Sequence, residues 1–258
     1  MLTHFTKKVS LLKIVYLFLT WLLLSSPLFA YKPAEIIVGT DSWPPFRIHS
    51  DKSLDGLDFD LWEEIERRLN IKIIFRKYPW SRILHNLKSG ELDAMSGLAK
   101  RKERELYMTY TTPSYFTCST VFYMKKGEGH LVQKYEDLYK YPIAYVANSA
   151  YFNKFDNDSA LNKHAIPSEI QLIKMLGKGR VKVIIGTDCQ ADYQIAKLGF
   201  SNEFEKAMFK PDNNVDLYIA ISKKSHFIKE LNRVNETIKQ IVEEGRIKEI
   251  SHKYFNMP

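Results

Sequence analysis

The chain has 258 residues, of which 45% are hydrophobic and 26% are charged, a composition typical of a soluble globular protein. Its formal net charge of +8 is spread along the chain rather than gathered in a block, so nucleic acid is not indicated as a partner. The two cysteines form no CxxC or Cys/His spacing, so the sequence indicates neither a metal site nor a metal cofactor.

The first 30 residues have the order of a secretory signal peptide: a basic end, an apolar middle and a small residue at a cleavage site. The apolar run, Leu11 to Leu24, is shorter than the roughly 20 residues that a membrane-spanning helix needs. We predict cleavage after Ala30, with an uncleaved membrane anchor as the alternative. Cleavage would leave 228 residues with a net charge of +5 and would place the protein in the periplasm.

The segment after the signal alternates strands with helices. Residues 35–39 (EIIVG) predict a strand, and a polar, proline-rich loop follows up to Phe46. Apolar residues recur at helical spacing from Asp58 to Leu69, and the two acids at the start of this stretch suit a helix amino terminus. Three further elements are predicted in this half of the chain: a buried strand over 71–75, a helix over 80–90 and a strand over 92–98.

The same alternation returns in the second half, with strands over 142–147 and 181–185 and helices over 169–176 and 191–198. This pattern predicts a mainly parallel sheet covered on both faces. Extended segments at 116–124 and 215–221 bracket the second set and suggest two crossings between lobes. An amphipathic helix from Phe227, stopped by Gly245, and a short helix over 247–254 end the chain.

The sequence alone does not determine whether the two cysteines, Cys118 and Cys189, form a disulfide. An oxidising compartment would permit a disulfide. Because nothing in the sequence places these residues near each other, two separate buried thiols are the favoured interpretation.

Five stretches carry a resemblance to a known family, in its order and spacing: "VGTDSWPPF" (38–46), "GLDFDLWEEIERRL" (56–69), "WSRILHNLKSGELDAMSGLAKRKERE" (80–105), "TTPSYF" (111–116) and "EEGRIKEISHKYF" (243–255). The chain resembles the bacterial extracellular solute-binding proteins of family 3, the polar amino acid type. This resemblance implies an α/β, two-lobe periplasmic binding protein fold of type II, in which each lobe is a sheet flanked by helices and two hinge strands join the lobes. Lobe one would comprise residues 31–117 and 220–258, and lobe two residues 118–219.

Ligand would bind in the cleft between the lobes. The resemblance carries the following lobe-one positions over to the site: Asp41, Trp43, Trp80, Ser96, Gly97, Ala99 and Arg104. In lobe two it carries over Asn148, Ser149 and Ala150, which would offer backbone N–H groups and a hydroxyl. The implied partners are a small amino acid or carboxylate ligand and a membrane permease, with a monomeric protein and no cofactor.

Arg104 is the expected carboxylate clamp. A guanidinium offers planar, paired donors that match a carboxylate, and it stays charged when it is buried. The alternative is a solvated charge within the charged run 100–105, but the flanking motif favours the clamp.

The aromatic and acidic candidates each have a second interpretation. Trp43 and Trp80 would form flat walls for the ligand, although ordinary core packing also explains tryptophan in these places. Asp41 would either hold a ligand ammonium or cap the turn that follows it.

The sequence departs from the family pattern in lobe two. Where many amino acid binders place the carboxylate that meets the ligand ammonium, the register gives Thr187, with Asp188 one residue later. Either a shifted loop lets Asp188 take that role, or the ligand lacks an ammonium. Asn148 also replaces the glycine that usually precedes the lobe-two Ser/Thr.

Three functional classes fit the sequence. Solute binding for delivery to a transporter is the leading hypothesis. A sensor or accessory protein has no distinguishing motif, so it stays open. A same-fold periplasmic dehydratase would need a general acid or base aimed at its substrate, and none of the seven histidines pairs with an acid at a cleft motif.

Overall fold

The computed structural model describes residues 34–50 and 53–255. The predicted signal peptide, residues 1–30, lies outside the described residues. None of the helices within the described ranges combines the length and apolar character needed to cross a membrane.

Strands and helices alternate along the described chain. The strands are β1 (Glu35–Thr40), β2 (Ile48–His49), β3 (Leu54–Asp55), β4 (Lys72–Lys77), β5 (Ala94–Leu98), β6 (Met108–Tyr110), β7 (Phe116–Lys125), β8 (Ile143–Val146), β9 (Lys163–Ile166), β10 (Val183–Thr187), β11 (Phe204–Lys206) and β12 (Asn214–Ser222). The helices are α1 (Leu57–Leu69), α2 (Trp80–Ser89), α3 (Lys102–Glu105), α4 (Asn153–Asn157), α5 (Glu169–Gly177), α6 (Asp188–Lys197), α7 (Leu231–Glu243) and α8 (Arg246–Phe255). Short 3₁₀ turns occupy Gly129–Leu131, Tyr135–Lys140 and His226–Glu230.

One sheet runs through the described chain in the order β4-β1-β5-β12-β7-β10-β8-β9. Strands β4, β1 and β5 pair in parallel at one end, and β10, β8 and β9 pair in parallel at the other. The pair β12 and β7 lies between them and is antiparallel to each other and to both neighbours. The prediction of two extended crossings is therefore confirmed, since β7 and β12 are the strands shared by the two parallel halves.

The buried residues explain why each half holds together. Along β8 and β10, alternate side chains enter two different apolar clusters, with Ile143 and Val183 on one face and Ala144 and Ile184 on the other. This alternation buries both faces of the sheet, as the run of apolar residues predicts. At the other end, α7 and α8 pack against α1, so the end of the chain returns to cover the first parallel half.

Cys118 and Cys189 form a disulfide, so the interpretation as two separate thiols is wrong. Thr120 on β7 stands opposite Thr187 on β10 in the antiparallel register. Cys118 lies two residues before Thr120 and Cys189 two residues after Thr187, so both cysteines lie just beyond this paired stretch, with their Cα atoms 5.7 Å apart. A cross-link between residues 71 positions apart restricts the unfolded chain and stabilises the fold by about 2–4 kcal/mol.

Two helices begin elsewhere than predicted. Helix α6 starts at Asp188 rather than at residue 191, and an acid in the first turn suits the positive end of the helix dipole. The final amphipathic helix starts at Leu231, because Ser225 caps a 3₁₀ turn before it through the N–H of Phe227.

Candidate ligand-binding cleft

A cavity of about 460 Å³ lies between the two parallel halves of the sheet. This volume is in the range of pockets for small molecules. The predicted site residues that line it are Asp41, Trp43, Trp80, Gly97, Ala99, Arg104, Ser149, Ala150 and Thr187. The cavity therefore brings together candidates that are far apart in sequence.

The Arg104 side chain is buried, with 5% of its surface exposed, and its guanidinium lies 5.3 Å from the centre of the Trp80 ring. It donates to the backbone oxygen of Ala99 at 2.9 Å and to that of Asn148. Among the described residues it forms no ion pair with an acidic side chain. Burial lowers the pKa of Arg104 below its usual value, because the charged form loses hydration.

Arg104 keeps donors beyond these two bonds, since a guanidinium has five N–H groups. A buried charge without a counter-charge is costly, which favours an anionic partner at this position. The buried Trp80 indole N–H also has no acceptor among the described residues, so this wall of the cavity holds a second unmatched donor.

Three hydrogen bonds cross the cleft at the same place. Besides the bond from Arg104 to Asn148, Arg101 donates to the backbone oxygen of Ser149 at 2.8 Å. The Asn148 amide donates to the hydroxyl of Ser81 at 3.4 Å. The Asn148 backbone makes this contact in a left-handed conformation with φ of 60°. Asparagine tolerates this region better than most residues, which explains how Asn148 replaces a glycine here.

The two tryptophans combine the two predicted roles. Trp43 stacks on Phe46 with ring centres 4.4 Å apart, and it contacts the core while also lining the cavity. Trp80 likewise packs against a core cluster and lines the cavity. Both rings therefore form rigid apolar walls that the core holds in place.

The carboxylate of Asp41 is engaged by a residue that sequence reasoning missed, the buried Arg47. Its Oδ1 atom accepts from Arg47 Nε at 3.0 Å and from Nη2 at 2.7 Å. On its other side, Arg47 donates to the buried Asp58 at 2.5 Å. Burial opposes ionisation of Arg47, but the charges of Asp41 and Asp58 outweigh it and raise its pKa. Asp41 lines the cavity as one half of this ion pair rather than as a free acid.

Gly97 makes the approach of Arg47 possible. The φ of Gly97 is +79°, and a Cβ atom there would lie 2.5 Å from Arg47 Nη1 and 3.0 Å from the Trp43 ring. A side chain at this position would displace both groups.

Ser96, Asn148 and Asp188 do not contribute to the cavity lining. The Ser96 hydroxyl bonds to helix α1, where it donates to Asp58 at 2.9 Å and accepts the indole N–H of Trp62 at 3.1 Å. Asp188 accepts the backbone N–H groups of Ser119 and Cys189, each at 2.8 Å. Its carboxylate thus binds backbone N–H groups beside the disulfide and does not line the cavity.

Glu169 is the second functional candidate that sequence reasoning missed. It is the first residue of α5, is partly buried, and lines the cavity. Burial raises the pKa of Glu169 to about 8. No separate signal in the sequence marks Glu169, because an acid at the start of a predicted helix also suits the helix dipole.

Comparison with known proteins agrees with this architecture. The family model of bacterial extracellular solute-binding proteins, family 3, matches residues 36–257. The L-cystine-binding protein TcyA of Bacillus subtilis (strain 168) is 24% identical over 232 residues, which cover 87% of this chain and 82% of that protein.

Two solved structures show the same fold. A histidine kinase sensor domain with similarity to periplasmic binding proteins superposes with a TM-score of 0.77 at 17% identity, over 87% of this chain and 97% of that one. An ancestral arginine-binding protein bound to arginine gives a TM-score of 0.74 at 21% identity, over 88% of this chain and 100% of that one. The predicted two-lobe periplasmic binding protein fold is confirmed. With the family model spanning nearly all of the described residues, the chain belongs to the bacterial extracellular solute-binding proteins, family 3.

Proposed function

We propose that this protein binds a small carboxylate solute, an amino acid or a close relative, by closing its two lobes on it. The observation that carries this proposal is Arg104, a buried guanidinium in the cavity wall that has no acidic partner among the described residues. A ligand carboxylate would supply the missing charge through paired hydrogen bonds. Similar proteins are named for binding L-cystine and arginine, which favours an amino acid.

Closure needs only that the ligand stabilise the closed arrangement more than the open one. The bonds from Arg101 and Arg104 to the backbone oxygens of residues 148 and 149 already join the two sides. In this proposal lobe one comprises residues 31–117 and 220–258, lobe two comprises residues 118–219, and β7 and β12 form the hinge. No catalytic step is part of the proposed function.

The test is to unfold the natively purified protein and to identify the released small molecule by mass spectrometry, followed by calorimetric rebinding. We expect a molecule with a free carboxyl group that rebinds with one-to-one stoichiometry. Rebinding of a neutral sugar, or of a ligand without any acid group, would contradict the proposal.

We also propose that the protein acts in the periplasm, as a monomer that hands its ligand to a membrane permease. The basic and apolar segments before Ala30 support export. Amino-terminal sequencing of the exported protein is expected to begin at Tyr31. A chain that retains Met1 in the membrane fraction would contradict cleavage.

A further inference from the structure

Glu169 is an acid in the cavity wall that forms no ion pair within residues 34–50 and 53–255. The other acid lining the cavity, Asp41, is already matched by Arg47 at 2.7 Å. The cations Arg104 and Lys77 also line the cavity, and the side chain of Lys77 is exposed to solvent. Among the described residues that line the cavity, Glu169 and Arg104 are therefore opposite charges that form no ion pair, as is also true of the exposed Lys77.

The immediate neighbour of Glu169 is the amide of Gln190 on α6, which is 2% exposed. With its nitrogen toward the acid, Gln190 donates to the two carboxylate oxygens at 3.0 and 3.3 Å. In the opposite orientation, its oxygen can accept a hydrogen bond from the O–H of the neutral acid. The pair can thus satisfy both protonation states of Glu169 without moving the backbone.

Gly186, near the end of β10, makes room for this carboxylate. A Cβ atom at Gly186 would lie 3.0 Å from Glu169 Oε1. A larger residue would push the carboxylate away from the end of the strand. Thr187, the position where the resemblance leads one to expect an acid, is the next residue.

We infer that Glu169, seated over Gly186 and beside Gln190, binds an ammonium group of the ligand while Arg104 binds its carboxylate. This inference rests on the proposed function and narrows it to a zwitterion, an α-amino acid rather than a carboxylate without an amine. A buried ammonium requires a paired anion, and Glu169 supplies it in place of an acid at residue 187. The role predicted for Asp188 or Asp41 then falls to Glu169, at the start of α5.

The raised pKa gives this site a pH dependence. With a pKa of about 8, Glu169 holds its proton in the ligand-free protein at neutral pH, whereas an ordinary carboxyl has lost it. An arriving ammonium favours the ionised form, so binding releases a proton and strengthens as pH rises from 6 toward 8. Ligand-free stability changes in the opposite direction, because over this range the folded state binds the proton more tightly than the unfolded state.

The elements packed against α5 carry further titratable groups, several of which have hydrogen-bond partners. Burial raises the pKa of Tyr151 and of Tyr123 above the usual value, and the Glu169 charge adds to both shifts. On the elements packed against α5, Lys163 donates to backbone oxygens, Asp192 accepts from Tyr123 and Lys206, and Asp188 accepts two backbone N–H groups. His164 on β9 is exposed, and the residues lining the cavity in the described part of the chain include no histidine.

The test uses calorimetry on the full mature protein with two matched probes. The first is whichever of the twenty L-amino acids and L-cystine gives the largest thermal shift. The second is the 2-hydroxy acid with the same side chain, which keeps the carboxylate and loses the ammonium. Glu169→Gln is compared with Glu203→Gln, which removes an exposed acid from the same lobe. Gly186→Ala moves the Glu169 carboxylate without changing any charge.

We expect Glu169→Gln to weaken binding of the amino acid by roughly tenfold or more and to leave binding of the hydroxy acid unchanged. The variant removes a bond between charged groups that only the ammonium can form. Gly186→Ala should also weaken binding of the amino acid, and Glu203→Gln should leave the affinity for both probes unchanged. The wild-type heat of binding at pH 7 should differ between phosphate and Tris buffers because of proton release.

Unchanged amino acid affinity in folded Glu169→Gln and Gly186→Ala proteins would overturn the inference, as would equal loss for both probes. Tight wild-type binding of the hydroxy acid alone would also overturn it, while leaving carboxylate binding intact. If Arg104→Ala leaves the affinity for both probes unchanged, or if no acid binds at all, the proposed function itself fails.

Discussion

Replacing Arg104 with alanine is expected to weaken ligand binding by roughly a hundredfold or more. Removing one partner of a buried charged pair costs about 3–5 kcal/mol, because the other charge stays desolvated, and about 1.4 kcal/mol corresponds to a tenfold change in affinity. The Arg104 guanidinium is buried in the cavity wall and has donors to spare for a carboxylate. Calorimetry with the ligand recovered from the native protein measures the change directly.

The matched control is Arg101→Ala. Arg101 lies three residues earlier and also bridges the cleft, through its bond to the backbone oxygen of Ser149. If Arg104 acts on the ligand rather than only between the lobes, Arg101→Ala should cost much less affinity. Equal losses in the two variants would assign Arg104 to lobe bridging. Unchanged affinity in a folded Arg104→Ala protein would return it to a structural role.

Replacing Arg47 with methionine is expected to lower the free energy of unfolding by about 3–5 kcal/mol, since it leaves the buried Asp58 and the partly buried Asp41 without their cation. Arg47 is 3% exposed and pairs with both Asp41 and Asp58. Burial raises the pKa of Asp58, and the Arg47 charge opposes this rise. Without Arg47, Asp58 would either take up a proton or remain as a buried charge without a counter-charge, and both outcomes destabilise the folded state. Urea unfolding at pH 7, followed by circular dichroism, gives the stability change.

Two further variants separate charge from packing at this position. Arg67→Met removes an exposed arginine that pairs with Glu64 on the surface of α1, and such pairs are worth about 0–1 kcal/mol. The double variant Arg47→Met/Asp58→Asn should recover part of the loss, because the stranded charge is gone. A loss for Arg47→Met no larger than for Arg67→Met would show that the buried network contributes little.

Much of the fold follows from periodicity. Strand β1 and helix α1 were predicted within one residue at their starts because apolar spacing reports which face is buried. The crossings at β7 and β12 were visible because their extended, β-branched and aromatic residues stand outside the strand and helix alternation. The disulfide was missed because it depends on the register between β7 and β10, and register is a tertiary property.

The site residues also fall into those that local sequence predicts and those that depend on tertiary structure. Arg104, Trp43 and Trp80 belong to local motifs, so the sequence alone brought them forward. Arg47 and Glu169 are single charged residues in a loop and at a helix start, where solvated charges are common. Their importance comes from burial and from neighbours such as Asp58 and Gln190, which only the folded chain brings near.

The most direct test of the central claim is a crystal structure of the protein with its native ligand. We predict that the ligand occupies the cavity between the two lobes and that its carboxylate lies within hydrogen-bonding distance of the Arg104 guanidinium. A ligand bound outside this cavity would contradict the account. So would a ligand inside it whose acid group is held by other residues, with Arg104 still bonded only to the backbone of Ala99 and Asn148.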